Sequence, residues 1–425
     1  MRDRVQLAGA IWPARGQGKR RSPGLTAQRR GAARLAARVL PPPVGWRPQD
    51  AIAAAFPAIA NLWRAAEPEI RALEARLGGE EATGRDTTML RQALGELLWR
   101  LQYTGDAAAA AAVLDRLRIM AALPEPPRAL GADREGSFGI GTEVWFLKLD
   151  ASVDHMLADD FAGAGPPPRF LDRVNDPVRL ARYLDSLLVS CLAGDGIDRR
   201  KELNFATANL VRLILRRRPP GYPWHPQLDT VIRGFVARWQ DSTTGFFGAD
   251  YEVSGERWRT ADLSLTFHMA RYLEGRIGYW PQLIDTLIAI RDERYPNGWL
   301  DDNGLTNHNN YDVAVLFQLG WPGMHPWQRR RAAAEIERLL SWCLEAAIAA
   351  DGRVVAHAIG ESLPESYYFT VAFLETVGFF DPEKRFWTDR DFPQAAALRN
   401  LLEWQILRLN QKNPMARMAL DCLRR

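Results

Sequence analysis

A unit of two helices closed by a glycine repeats along this chain, and that repeat constrains the fold more than any other feature. Its clearest copies lie in the C-terminal half. The segments 202–216 (ELNFATANLVRLILR), 261–275 (ADLSLTFHMARYLEG), 306–320 (TNHNNYDVAVLFQLG) and 364–378 (PESYYFTVAFLETVG) put polar residues in a first turn and apolar or small residues after it. They end at 216, 275, 320 and 378, and the last three end on glycine. Glycine takes the left-handed conformation at low cost, so Gly275, Gly320 and Gly378 suit helix C-caps. Between these segments, 228–240, 283–294 and 332–350 read as amphipathic helices. Each is followed by glycine with apolar residues: TGFFG at 244–248, PNGWL at 296–300 and DGRV at 351–354.

The alternation extends upstream. Segments 87–103 and 141–155 read as further inner helices, and 52–77, 107–121 and 178–192 as outer ones. Six inner helices then begin near 87, 141, 202, 261, 306 and 364, with 395–409 closing the set, while strand signals are nearly absent. A hairpin of this kind cannot bury its apolar face alone, but a ring of hairpins can. The expected fold is all-α, an (α/α)6 barrel or αα-toroid. Its inner helices should be apolar or small nearly all round, as Ala206, Ala208 and Leu210, or Val313, Ala314 and Leu316, suggest.

Length alone, 425 residues, would give about three domains. The repeat instead predicts one toroid domain over 46–425, after a disordered basic leader over 1–45 that ends in Pro41, Pro42 and Pro43. That leader holds Arg2, Arg4, Arg15, Lys19, Arg20, Arg21, Arg29, Arg30, Arg34 and Arg38 against one acid, Asp3. It accounts for the formal net charge of +4, and the remainder is slightly acidic. A nucleic-acid binder carries its basic face on the folded domain, so no nucleic-acid partner is expected. There is no apolar run of membrane-spanning length and no clean signal-peptide core, which favours a cytoplasmic protein without integral membrane association; export stays open. Cys191, Cys343 and Cys422 form no CxxC pair, so neither a zinc ribbon nor a disulfide framework is expected. Cys343 reads as a small buried hydrophobe.

The glycine–aromatic turns and the inner-helix pattern, over about residues 85–380, resemble the αα-toroid enzymes. These are the alginate-lyase- and heparinase-like polysaccharide lyases, the (α/α)6 glycoside hydrolases and, more distantly, the terpenoid cyclase and prenyltransferase toroids. Within that group, Asp301–Asp302 after Trp299–Leu300 does not make the acid motif of class II terpenoid cyclases, and no Asp, Cys and His zinc set is evident. Toroidal polysaccharide lyases commonly carry an Asn–His pair with downstream tyrosines. Asn307–His308, followed by Asn309, Asn310 and Tyr311 and one hairpin later by Tyr367–Tyr368, is similar to it. The resemblance implies a carbohydrate-active enzyme, a lyase or a hydrolase, acting on an oligo- or polysaccharide at the barrel mouth. The alternatives are a terpenoid-cyclase-like toroid with an apolar substrate and a non-catalytic toroid that binds a glycan or a protein.

In such a barrel the loops before the inner helices converge. Aligned on the glycine ends, Asp262, Asn307 and Glu365 fall at one phase and His308 one residue later. Two carboxylates at a mouth suit general acid and base work; the plainer reading is that both cap helix N-termini. A lyase needs the uronate charge neutralised, a base for the C5 proton and an acid for the leaving oxygen. Asn307 and an arginine would do the first, and His308 with Tyr367 or Tyr311 the others. His268 reads as a core histidine. Trp258, Trp299, Tyr368 and Asn310 are candidate substrate contacts, since sugar C–H faces stack on indole. No cofactor is expected; Asp292, Glu293, Asp301, Asp302 and Asn303 offer a candidate divalent-cation site without EF-hand spacing. Neither a phosphate-binding GxxxxGK[ST] nor a GxSxG nucleophile elbow occurs.

Overall fold

The structure is a computed structural model that describes residues 39–43, 45–82, 85–123, 131–157, 166–216, 218, 221–302, 304–355, 362–411 and 413–424. Helices dominate the described chain. In order they are α1 (Pro48–Ala55), α2 (Pro57–Ala82), α3 (Thr88–Tyr103), α4 (Ala107–Ala122), α5 (Trp145–Leu157), α6 (Pro177–Leu187), α7 (Arg200–Val211), α8 (Leu228–Trp239), α9 (Leu263–Tyr272), α10 (Trp280–Ala289), α11 (Asn307–Gly320), α12 (Pro326–Trp342), α13 (Leu363–Thr376), α14 (Ala395–Leu407) and α15 (Pro414–Leu423). Single π-helical turns, Arg212–Arg216 and Cys343–Ala347, extend α7 and α12.

Burial separates two kinds of helix. In α6 the buried residues are Leu180, Leu184 and Leu187, one stripe at helical spacing with the rest toward solvent. In α11 eleven of fourteen residues are buried, so this helix has neighbours on almost every side. The odd-numbered helices pack in succession: α3 on α5, α5 on α7, α7 on α9, α9 on α11, α11 on α13 and α13 on α15. The apolar core lies between them and the even-numbered helices. All six expected inner helices form, the expected last helix over 395–409 forms as α14, and α15, an additional helix, packs on α13. Just before α15, Asn410 Nδ2 donates to the Glu81 carbonyl at the end of α2 (3.0 Å), joining the C-terminal end to the N-terminal hairpin.

Three expectations need correction. First, the chain holds a small sheet, ordered β1 (Val39–Leu40), β4 (Glu256–Arg259), β3 (Asp250–Val253), β2 (Val189–Ser190). β3 and β4 form a hairpin turning at Ser254 and Gly255, both at positive φ, the backbone a tight hairpin needs. Two- to four-residue strands are too short to register as a period beside ten-residue helices. Second, the outer helix expected over 178–192 stops at Leu187, and Val189–Ser190 pairs with Asp250–Tyr251 instead. Third, Val39–Leu40, assigned to the leader, pairs in parallel with Arg257–Trp258. Residues 1–38 of that leader lie outside the described residues.

The glycine punctuation also divides. Gly378 has φ +68° and follows α13, and a Cβ there would meet the Arg385 backbone at 2.5 Å. Gly320 is an ordinary helical residue inside α11. It is small because Trp280 and Ile284 of α10 come within about 3 Å of where a Cβ would stand.

Candidate functional site

Polar and aromatic residues of the odd-numbered helices meet from one helix to the next. α5 contributes Asp150 and Asp154, and α7 Lys201, Asn204, Asn209 and Arg212. α9 contributes His268, Arg271 and Tyr272, α11 His308 and Tyr311, and α13 Tyr368 and Phe369. They form a connected network. Asn209 Nδ2 donates to Asp150 Oδ1 (2.8 Å), Arg212 donates to Asn209 Oδ1 (3.3 Å), and Arg212 pairs with Asp154. The Arg212 guanidinium lies 5.3 Å from the Tyr272 ring centre, and Tyr272 lies parallel to the His268 ring. His268 Nδ1 stands 2.7 Å from Asn204 Oδ1, and Asn204 donates in turn to Ser264 Oγ (2.9 Å).

Arg271 occupies the middle. Its guanidinium sits 5.4–5.7 Å from the rings of Tyr311, Phe267 and Tyr272. Among the described residues no carboxylate lies within ion-pair distance of it. Asp312, the next acid on α11, is 1 % exposed, and its Oδ1 has no hydrogen-bond partner among the described residues. Burial pushes the Asp312 carboxyl well above the usual range, against the pull of Arg271. Beyond Arg271, His308 stacks face to face on Phe369, centroids 4.0 Å apart. Burial lowers His308 to about 4 and His268 to about 3, so both imidazoles are neutral at pH 7. Burial raises Tyr311, so its phenol keeps its proton.

Of two cavities nearby, the smaller shares Asp150 and Lys201 with this network, and neither is lined by Arg271, His308, Tyr311 or Tyr368. One of about 650 Å³ is lined by α3, α5, α7 and the start of α15, with Asp150, His155 and Lys201 on its wall. The Asp150 side chain is open to this space yet enclosed by protein, and burial raises its carboxyl. The larger, about 1280 Å³, lies where the segments before α7, α9 and α11 meet α1 and α2. Its floor includes Tyr103, Asp198, Arg200, Tyr251 and Tyr295. Asp198 is fully buried, takes hydrogen bonds from the Arg200 N–H (3.0 Å) and Tyr251 (3.1 Å), and is pushed up to about 6 by burial.

Of the expected site residues, Tyr311 and Tyr368 lie against Arg271, and His308 is linked to them through Phe369. The others are placed elsewhere, each for a physical reason. Asp262 caps α9, accepting from the Leu265 N–H (2.9 Å), and pairs with Arg200 while fully buried. Glu365 belongs to a capping box with Ser362 at the start of α13. Asn307 donates to Thr370 Oγ1 (2.8 Å) and hydrogen-bonds the Cys343 thiol, which is buried on the outer side of α11 and raised to about 12. Asn310 is 1 % exposed and donates to Asn307 Oδ1. Tyr367 is buried and accepts from the Val354 N–H. Trp299 is fully buried in the core against Phe317. Trp258 lies on β4 with its edge on Trp46.

The acids of the expected cation site line the rim of the larger cavity. Arg294 pairs with Asp302 and Arg291 with Asp292, and Asn303 lies outside the described residues. Among the described residues no three His, Cys, Asp or Glu side chains converge as a metal ion requires, and no helix is long and apolar enough to cross a membrane.

The sequence reading missed Asp150, Lys201, Asn209, Arg212 and Arg271. Their signal is polar residues three apart within an otherwise apolar helix, as Lys201 and Asn204, and Asn209 and Arg212, are in KELNFATANLVR. No protein-family model, curated protein or solved structure matches the chain.

Proposed function

We propose that the chain is a carbohydrate-active enzyme that cleaves an acidic glycan by β-elimination, in the interior of an (α/α)6-type toroid. Support for the toroid comes from the serial packing of α3, α5, α7, α9, α11, α13 and α15 and from the Asn410–Glu81 contact. The observation that carries the chemistry is Arg271, a cation held among aromatic faces with no acid paired to it among the described residues. Such a site calls for an anionic group from outside, and a planar carboxylate suits a guanidinium.

The steps follow from the groups present. Arg271 neutralises the uronate carboxylate and so acidifies the C5–H bond. His308, neutral at pH 7, takes the C5 proton. As the C4–C5 double bond forms and the C4–O bond breaks, Tyr311, protonated, gives its proton to the leaving oxygen. Phe369, Tyr272 and Tyr368 supply ring faces for the sugars.

A hydrolase is the second reading, favoured by Asp150 and Asp154 one turn apart on α5, with burial raising the Asp150 carboxyl above its ordinary value. An apolar-substrate toroid fits less well, because Asp150, Lys201, Arg212 and Arg271 make the interior charged. A binding-only toroid agrees with the capped Asp262 and Glu365 and the packed Asn307, but leaves the deeper network unexplained.

The test is ultraviolet absorbance of the unsaturated uronate during incubation with uronate polysaccharides. Wild type should produce it, and His308→Ala should slow it by about 10²–10⁴-fold, the usual worth of a positioned acid or base. Reducing-end release without that absorbance, lost in Asp150→Asn, would replace elimination by hydrolysis. No product on any polymer would overturn both enzymatic readings for that panel.

A further inference from the structure

Arginine supplies 50 of the 55 basic side chains; the five lysines are Lys19, Lys148, Lys201, Lys384 and Lys412. In a chain so biased, an interior lysine stands where arginine would serve any purely cationic role. What lysine adds is an amine that can lose its proton and attack; arginine stays charged. Lys19 and Lys412 lie outside the described residues. Lys148 faces Glu143 (3.6 Å) and Asp133 (4.0 Å), and Lys384 faces Glu375 (2.8 Å) and Asp381 (3.8 Å). Lys201 differs: no carboxylate lies within ion-pair distance of it among the described residues. Its Nζ sits 5.6 Å from the ring centres of both Tyr103 and Phe205, on the wall of the 650 Å³ cavity.

The surroundings suit amine chemistry. Burial lowers Lys201 to about 8, with Arg200 adding to the effect and Asp150 opposing it. Asp150, on the same cavity wall, is shifted toward its protonated form. An amine that gives up its proton readily thus shares a cavity with a carboxyl whose hold on a proton is strengthened by burial. The wall also carries the hydroxyls and amides of Thr87, Gln92, Thr142 and Asn413 and the charged side chains of Arg85 and Asp86.

We propose that Lys201 is the nucleophilic amine of a second reactive site, which captures a polyhydroxy carbonyl compound, an open-chain sugar, as an imine. The Nζ lone pair adds to the carbonyl carbon, and the carbonyl oxygen takes a proton from Asp150. The Asp150 carboxylate then takes one proton from the nitrogen and passes it to the carbinolamine hydroxyl, which leaves as water as the C–O bond breaks, and takes the second proton from the iminium nitrogen. Amine plus carbonyl becomes imine plus water, with no change of oxidation state and with Asp150 returned to its starting form. This site stands on observations separate from Arg271 and His308.

The full chain is incubated with glyceraldehyde and cyanoborohydride at neutral pH, and adducts are located by peptide mass spectrometry. Lys201 should label on the order of a hundredfold faster than Lys148 or Lys384, the gain in neutral amine that a pKa near 8 gives over an ordinary lysine. Lys201→Arg should remove that adduct alone, with an unchanged melting curve to show folding. Asp150→Asn should slow labelling at Lys201 but not at Lys148. Equal labelling of the three lysines, or none at Lys201, would overturn the proposal. Because the readout is an adduct and not glycan cleavage, failure here leaves the elimination reading standing, and the reverse.

Discussion

His268 and His308 are neutral because the interior offers them no charge compensation: Arg271 and Arg200 add to the cost of protonating His268, while Asp301 offsets only part of the burial of His308. Both folded-state values lie below the ordinary 6.5, so the unfolded chain takes up protons that the folded chain refuses. Their contribution is therefore constant above about pH 6.5 and turns against folding as pH falls toward 4. Asp198 acts oppositely. Its carboxyl, raised to about 6, makes the folded chain the better proton binder between about pH 4 and 6, a stabilisation lost as pH rises through that window. A ¹H–¹³C titration should find the His268 and His308 ring signals flat from about pH 8 to pH 5. A midpoint near 6.5 for either would contradict their burial. Residue roles were the least legible part of the sequence. Asp262, Asn307 and Glu365 share a phase only when counted back from the glycines, and those glycines are not equivalent: Gly378 is a left-handed cap, whereas Gly320 lies inside its helix. Counted from the helix starts, the three residues are a cap, a first-turn residue and a capping-box partner. Local spacing does not reveal which way a side chain turns between an inner and an outer neighbour, so Asn307 and His308 were read as a pair although they face different surroundings.

At the scale of elements, one carboxylate ties the N-terminal hairpins together. Glu96 on α3 is 1 % exposed. It accepts from Arg100 on its own helix, from Arg116 on α4 (2.8 Å), and from the Thr142 hydroxyl and Glu143 N–H (both 3.0 Å) ahead of α5. Four partners offset the burial and hold the carboxyl below its usual range. Glu96→Ala leaves the two arginines facing a gap and should cost about 3–5 kcal/mol in chemical denaturation. A loss under about 1 kcal/mol would put the contact in the class of surface ion pairs. Helix existence was legible because all but α1 run ten residues or more, several turns of the 3.6-residue period. The short strands and the end of α6 were not, since pairing partners far along the chain decide them.

For the whole molecule, alternating helices of two burial classes, packed in series, place a chain of polar side chains on the more buried helices beside an apolar core. The repeat made that alternation legible from sequence. The cation at its centre was not, because Arg271 lies within an apolar run with nothing local to mark it as unpaired. The central claim is that Arg271 makes this interior a receptor for an acidic sugar. The most direct measurement is calorimetric binding of a uronate oligosaccharide and of its carboxyl-reduced, neutral counterpart, to wild type and to Arg271→Met. The account predicts that wild type prefers the acidic ligand by about 1.5–3 kcal/mol, the worth of a charge-assisted hydrogen bond, and that the variant loses this preference while still folding. Equal binding of the two ligands by wild type, or a preference that survives in Arg271→Met, would contradict it.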